Sequence, residues 1–432
     1  MNMFTPITAP GTRNRFLVGV LLAFCAFNSA KVLAQEIDGV QPAAIDQPRI
    51  NMLVRRQPNG PPLSANVGGD ATFNVEAFLD TGASEVLISS NTADGLGLKH
   101  EQVNRNDVTF NDVGVGGDSR FDVSEPLYLA IAPETPTVDT NDKTNIDGVY
   151  TQRYGPFRAE IGPLGIMSGL MSMLTGDLDV AGVPVMQGKV VVMQLKDVNN
   201  FSDKIQTYVY DTKERATASP PIPRTTRHVQ LSFASFAKFT QTTPANAAGP
   251  LICENPFIGP SPLPNGRAAI PPLVATHHGK SVTGSWLLDT GAVCSMISQH
   301  EAAAIGVTYV NGTYGTGDAQ LLGVPADKQF TLSIGGIGGM AKSAGFYMDK
   351  LTLPTREGKP ITFLHAPVLV SDITVKDPVS GKTFTLDGVF GMNFLVASAK
   401  ISEGLIPDIE NLTPGAFKWV VFDQPGGTLG FD

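Results

Sequence analysis

Cysteine is scarce in this chain, with 3 in 432 residues, at positions 25, 253 and 294. Cys25 falls inside an N-terminal apolar run, so beyond that run one disulfide at most can form. Cys253 and Cys294 could pair in an oxidising compartment, or remain two buried or free thiols. Histidine is sparse too, with 6 residues, and no Cys/His grouping has metal-ligand spacing. His277-His278 stands beside Gly279 and reads as a solvated hairpin turn, so no metal is expected. Charged residues make up only 16% of the chain, and 31 Lys+Arg against 40 Asp+Glu leave a net charge of −9. That balance gives no reason to expect nucleic acid or an anionic membrane surface as partner. After the N-terminal run no apolar stretch is long enough to span a bilayer. With 42% hydrophobic residues, 45 Gly and 32 Pro, the composition excludes a disordered chain or a coiled coil and suits a turn-rich, mostly β protein.

The N-terminus reads as a targeting segment. Arg13 and Arg15 precede the apolar run Phe16 to Phe27, and Val32-Leu33-Ala34 puts a small residue before Gln35. A signal peptide over 1–34 is expected, and with it a secreted or periplasmic protein with no membrane contact once the signal is removed. An uncleaved anchor is the alternative. Residues 35–48 read as a short mobile segment.

The remaining chain repeats itself. Phe78-Leu79-Asp80-Thr81-Gly82-Ala83 returns as Leu287-Leu288-Asp289-Thr290-Gly291-Ala292, an offset of 289 − 80 = 209. The same offset relates Ile88 to Ile297, Gly97 to Gly306 and Gly182 to Gly391. Ser298 followed by Glu301 reads as a capping box opening a short helix. The repeat divides the chain into an N-terminal β lobe at 49–212, a Pro- and Thr-rich linker at 213–227 and a C-terminal β lobe at 228–432.

Two carboxylates within hydrogen-bonding reach cannot both ionise easily, so the pair holds one proton and titrates as a unit. One can then take a proton from water while the other gives one to a carbonyl oxygen. Gly82 and Gly291 permit close backbone approach, and Thr81 and Thr290 carry short hydroxyls able to bond across the two turns.

On these motifs the chain resembles a two-lobed aspartic peptidase of the pepsin type, with Asp-Thr-Gly-Ala turns like those of retropepsins. The resemblance covers nearly all of the chain after residue 34. It rests also on Val180-Ala181-Gly182, Val389-Phe390-Gly391 and the terminal Val420-Val421-Phe422-Asp423. It implies an all-β, bilobed aspartic-protease fold whose two β lobes are related by a pseudo-two-fold, with the cleft between them. Asp80 and Asp289 would be the catalytic dyad, Thr81 and Thr290 the cross-lobe hydroxyls, and Gly82, Ala83, Gly291 and Ala292 their support. Gly182 and Gly391 would be the structural glycines behind each loop. The implied activity is an exported, monomeric endopeptidase acting on peptides or proteins without a cofactor. A catalytically silent binding protein and a narrow-specificity processing peptidase are the alternatives.

Three departures matter. Ala83 and Ala292 stand where pepsin-like enzymes carry Ser or Thr. The missing hydroxyl donor should raise the dyad pKa values and move the optimum to mild acid. The expected flap, Val113-Gly114-Val115-Gly116-Gly117, contains no tyrosine, whereas Tyr314-Gly315-Thr316-Gly317 looks flap-like but falls in the second half. Ile334 to Gly339 resembles a retropepsin flap yet falls where an ordinary strand-turn is expected, and is read as structural. Finally, residues 35–49 are too short for the family's basic pro-segment.

Overall fold

A computed structural model describes residues 34–67, 70–132, 145–162, 179–195, 204–212, 218, 221–235, 247–262, 270–376, 383–396, 398–401, 407–413 and 415–432. The apolar run at 16–27 lies outside them. Among the described residues no helix is long and apolar enough to cross a membrane.

The chain is mostly β, in two large mixed sheets. Strand Val75–Leu79 leads into Asp80 with Val75, Ala77, Phe78 and Leu79 buried and only Glu76 facing out. Val86–Ser89, which follows the turn, is buried along its whole length. Such continuous apolar runs belong to strands covered on both faces. Each fully buried aliphatic side chain adds about 1.5–3 kcal/mol, so an Ile88→Asp change would break this layer.

The repeat is visible in the register. Asp179–Ala181 runs parallel to Val75–Leu79, with Val180 opposite Phe78, and antiparallel to Val86–Ser89, with Val180 opposite Leu87. In the second half Val389 stands opposite Leu287 and Met296 in the same two senses. Ile161 pairs with Ile88, and Val370 with Ile297. Each second-half residue is its first-half counterpart plus 209, the separation of Thr81 and Thr290. Equal chain length between equivalent strands preserves this register although the intervening loops differ in sequence.

Ala34 to Asp432 forms one compact unit. The reason is sheet continuity. Lys189–Gln194, from the first half, pairs antiparallel with Trp419–Asp423 near the C-terminus, and Gln206–Asp211 adds outside it. One hydrophobic core therefore runs from Val40 to Phe431. Residues 35–48, expected as a short mobile segment, pack in part against the second half. Gln35–Ile37 is a strand parallel to Ile361–Phe363 of the second half, and Val40 and Ala43 are buried.

The short helices are capped as the sequence suggests. Ser89 accepts the Thr92 amide at 3.1 Å, and Gly97 ends that helix in the left-handed region at φ 63°. Ser298 accepts the Glu301 amide at 3.1 Å. The reciprocal half of the box is absent, since the Ser298 amide donates to the Asp387 carbonyl at 2.9 Å.

Candidate active site

Asp80 and Asp289 sit where a strand breaks into a turn, each anchored by its own amide. Asp80 N donates to Ala181 O and Asp289 N to Phe390 O, both at 3.1 Å. The next residues bind the opposite loop. Thr81 Oγ1 donates to Leu288 O at 2.6 Å and accepts Thr290 N at 3.1 Å. Thr290 Oγ1 donates to Leu79 O at 2.6 Å and accepts Thr81 N at 3.0 Å. Both threonines are buried, so these four bonds form away from competing water. Reciprocal contacts of this kind are what a local two-fold axis produces.

The turn glycines follow from the same closeness. A Cβ on Gly82 would lie 2.5 Å from Asp289 Cγ, and one on Gly291 would overlap the Asp80 carboxylate in the same way. Gly182 and Gly391 pass behind the loops, where a Cβ would collide with the carbonyls of Ala83 and Glu85, or of Ala292 and Cys294. From there the Val183 amide donates to Ala83 O at 2.9 Å and the Met392 amide to Ala292 O at 2.8 Å. The structure thus brings together Asp80, Asp289 and all eight of the supporting residues that the sequence singled out.

The carboxylates are not equivalent. Asp80 Oδ1 accepts the amides of Gly82 at 2.7 Å and Ala83 at 3.3 Å. Asp289 Oδ1 is buried without a hydrogen-bond partner of that kind. Burial raises the pKa of Asp80, and the hydrogen bond it shares with Asp289 and the turn amides offset part of that rise. Asp289 is raised well above the carboxylate range, first by burial and then by the negative charge of Asp80. Both pKa values are raised, so the pair keeps one proton to a higher pH than separate carboxylates would. An ionised and a protonated carboxyl side by side can act together as base and acid.

Two hairpins meet next to these loops. Thr109–Gly114 pairs with Gly117–Val123, with Gly114 opposite Gly117, and Gln329–Gly336 pairs with Gly339–Leu353, with Gly336 opposite Gly339. Their tips touch: Gly116 N donates to Ile337 O at 2.9 Å. Gly114, Val115, Gly116 and Gly117 correspond to Gly336, Ile337, Gly338 and Gly339 at an offset of 338 − 116 = 222. Val115 lies against Gly336 and Ile337 against Gly114, each side chain filling the space above the other tip's glycine. Ile337 shares an apolar cluster with Ala83, and Val115 one with Ala292. The 334–339 turn is thus the partner of the first hairpin, not an isolated strand-turn. Tyr314 stands apart: it is 44% exposed, edge-on to Tyr309, with its hydroxyl 3.5 Å from the Asp372 amide.

Cys253 and Cys294 are both free, so the disulfide that the sequence allowed is not formed. The Cys253 amide donates to Ser84 O at 3.0 Å, which lays that residue across the first loop. Cys294 is buried with Met296 and Leu369, and burial pushes its thiol up to about 12. It is therefore protonated and unreactive at neutral pH.

Residues that the sequence reading missed form a crossed pair of straps. Ala44 N donates to Val293 O at 2.9 Å, as Cys253 N does to Ser84 O, and the 209 offset relates both donors and both acceptors. The Gln47 side chain donates to Gly291 O. Asn255 Nδ2 donates to Thr81 O at 3.1 Å and Gly82 O at 2.9 Å, while Ser84 Oγ donates to Asn255 Oδ1. The offset was the available signal, but a turn-rich tract and a supposed tail hid it.

Compared with models of known protein families the chain matches none, and a search of curated proteins finds no match.

Proposed function

We propose that this protein is an exported aspartic endopeptidase that hydrolyses peptide bonds with a water activated between Asp80 and Asp289. The observation that carries the reading is the buried carboxyl pair itself, held by reciprocal threonine bonds, with burial raising both pKa values. Asp80, whose Oδ1 already accepts two amides, is the ionised partner and takes a proton from water. The water oxygen bonds to the peptide carbonyl carbon while Asp289 gives its proton to the carbonyl oxygen. The resulting diol collapses as Asp80 protonates the amide nitrogen and Asp289 recovers a proton from one hydroxyl. The C–N bond breaks, and the pair returns to its starting protonation state.

The paired hairpins support a gated cleft, since a peptide lying along the loops would have to be covered by both tips. Export rests on the Arg-flanked apolar run of the first 34 residues. The test is incubation of the protein with a mixed peptide library, with and without a statine-type transition-state mimic. Inhibitor-sensitive cleavage that disappears in Asp80→Asn and in Asp289→Asn is expected. Cleavage that survives either substitution refutes the dyad, and the number of peptides cut separates narrow from broad specificity.

A further inference from the structure

The two halves differ sharply at one buried spot. In the first half Glu85 leaves the Asp80 loop, Asp112 lies in the strand entering the first hairpin, and Glu160 begins Glu160–Gly162. One oxygen from each lies within 4.8 Å of the other two. Glu85 is 1% exposed, Asp112 6% and Glu160 0%. The register identifies the equivalent residues of the second half. Glu160 stands opposite Leu87 and Val123, as Leu369 stands opposite Met296 and Gly345. Asp112 stands opposite Ser119, as Ile334 stands opposite Ala341. Glu85 and Cys294 present their carbonyls to Gly182 and Gly391 alike. Cys294, Ile334 and Leu369 belong to a single apolar cluster. Where one half has a hydrophobic plug, the other buries three acids.

Among the described residues no cation pairs with them. All four carboxylate oxygens of Glu85 and Glu160 are buried without a hydrogen-bond partner. Asp112 accepts one bond, from the Val113 amide at 2.7 Å. Among the described residues no lysine, arginine or histidine forms an ion pair with any of the three, and Arg158, the nearest cation in sequence to Glu160, is engaged with Glu101 at 3.2 Å. Asp80 and Asp289 share a hydrogen bond, whereas no hydrogen bond links these three, and burial first, then the charge of neighbouring acids, raises the pKa of each. Held ionised without a partner, buried carboxylates are strongly destabilising.

We propose that Glu85, Asp112 and Glu160 bind one hard divalent cation of calcium size, which ties the first hairpin to the Asp80 loop. The donor set is all oxygen, which suits calcium rather than zinc or copper. Three oxygens all within 4.8 Å of one another can reach one ion at Ca–O distances of about 2.3–2.6 Å. The site stands whether or not the protein is a peptidase.

The test strips the full-length protein with EDTA, dialyses it and returns calcium chloride, with bound metal counted by mass spectrometry and unfolding followed by heating. One equivalent of calcium is expected, with a rise in Tm of about 5 °C at 100-fold over Kd. Glu160→Gln should lose both responses, and Glu301→Gln, a buried acid elsewhere, should keep them. Because a single change could unfold the site, the triple variant Glu85→Cys, Asp112→Ile, Glu160→Leu transplants the plug of the other half. It should fold without calcium and ignore it. Absence of bound calcium and of a Tm shift in the wild type overturns the proposal, as does a triple variant that keeps the wild-type response.

Discussion

Thr81→Val takes one oxygen out of the centre of the site and leaves the side-chain shape unchanged. That oxygen donates to Leu288 O and accepts Thr290 N, and the residue is 1% exposed. Valine orphans a buried carbonyl and a buried amide, each costing about 1–3 kcal/mol, so the loss should be about 2–6 kcal/mol. Thr290→Val removes the other two bonds and should cost the same. The double variant should cost about 1–2 kcal/mol less than the sum, because once one pair of bonds is gone the loops part and water reaches the remaining groups. Thr81→Ser keeps both bonds and loses one methyl, for about 1 kcal/mol. Urea unfolding with unchanged m-values gives all four numbers. A Thr81→Val variant no less stable than Thr81→Ser would refute the cross-loop bonding. If the protein cuts peptides, kcat should fall about 100-fold in Thr81→Val, since the carboxylates would be misplaced by about 1 Å.

Further predictions follow from the buried acids and the hairpins. If the protein cuts peptides, the raised dyad pKa values place the loss of that activity with rising pH above the ordinary carboxylate range, so a pH–rate profile peaking near pH 2 would contradict the assignment. Glu301 is raised to about 7 by burial and by Asp387, so folding binds a proton there and stability falls as pH rises from the ordinary Glu value to about 7. Because solvent reaches part of the group, Glu301→Gln should gain only about 1–2 kcal/mol at pH 8 and nothing at pH 4; an equal gain at both values would refute this. A Cβ on Gly116 would stand 2.4 Å from the Gly338 carbonyl carbon, so Gly116→Ala should part the tips and speed hydrogen exchange at the residue 116 amide. Unchanged exchange would mean that the tips do not touch in solution.

The Asp-Thr-Gly-Ala turns, the glycines behind them and the strands around them were legible because each half carries its own copy at a fixed offset. Side chains that line one buried face must recur at one spacing, and the 209 offset turned out to be the register of the sheets themselves. The straps were harder to read. Residues 35–48 look like a tail because their partners, Ile361–Phe363 and Val293, lie hundreds of residues away. The pairing of the hairpins was masked by its own offset of 222, which departs from that of the surrounding strands. Glu85, Asp112 and Glu160 gave no signal, since isolated acids at 27- to 75-residue separations read as surface charges.

By itself, then, the sequence determined the β repeat, the two carboxylate turns and their supporting glycines, all of which depend on local pattern and spacing. The tertiary structure decided what crosses between the halves: straps laid over the opposite loops, hairpin tips filling each other's glycine spaces, free thiols and a buried acidic cluster. The physical reason is that burial and long-range contact, not residue type, decide whether an aspartate is a solvated charge or one of a pair sharing a proton. Asp80 and Asp289 become that pair only when Thr81 and Thr290 draw their two turns together.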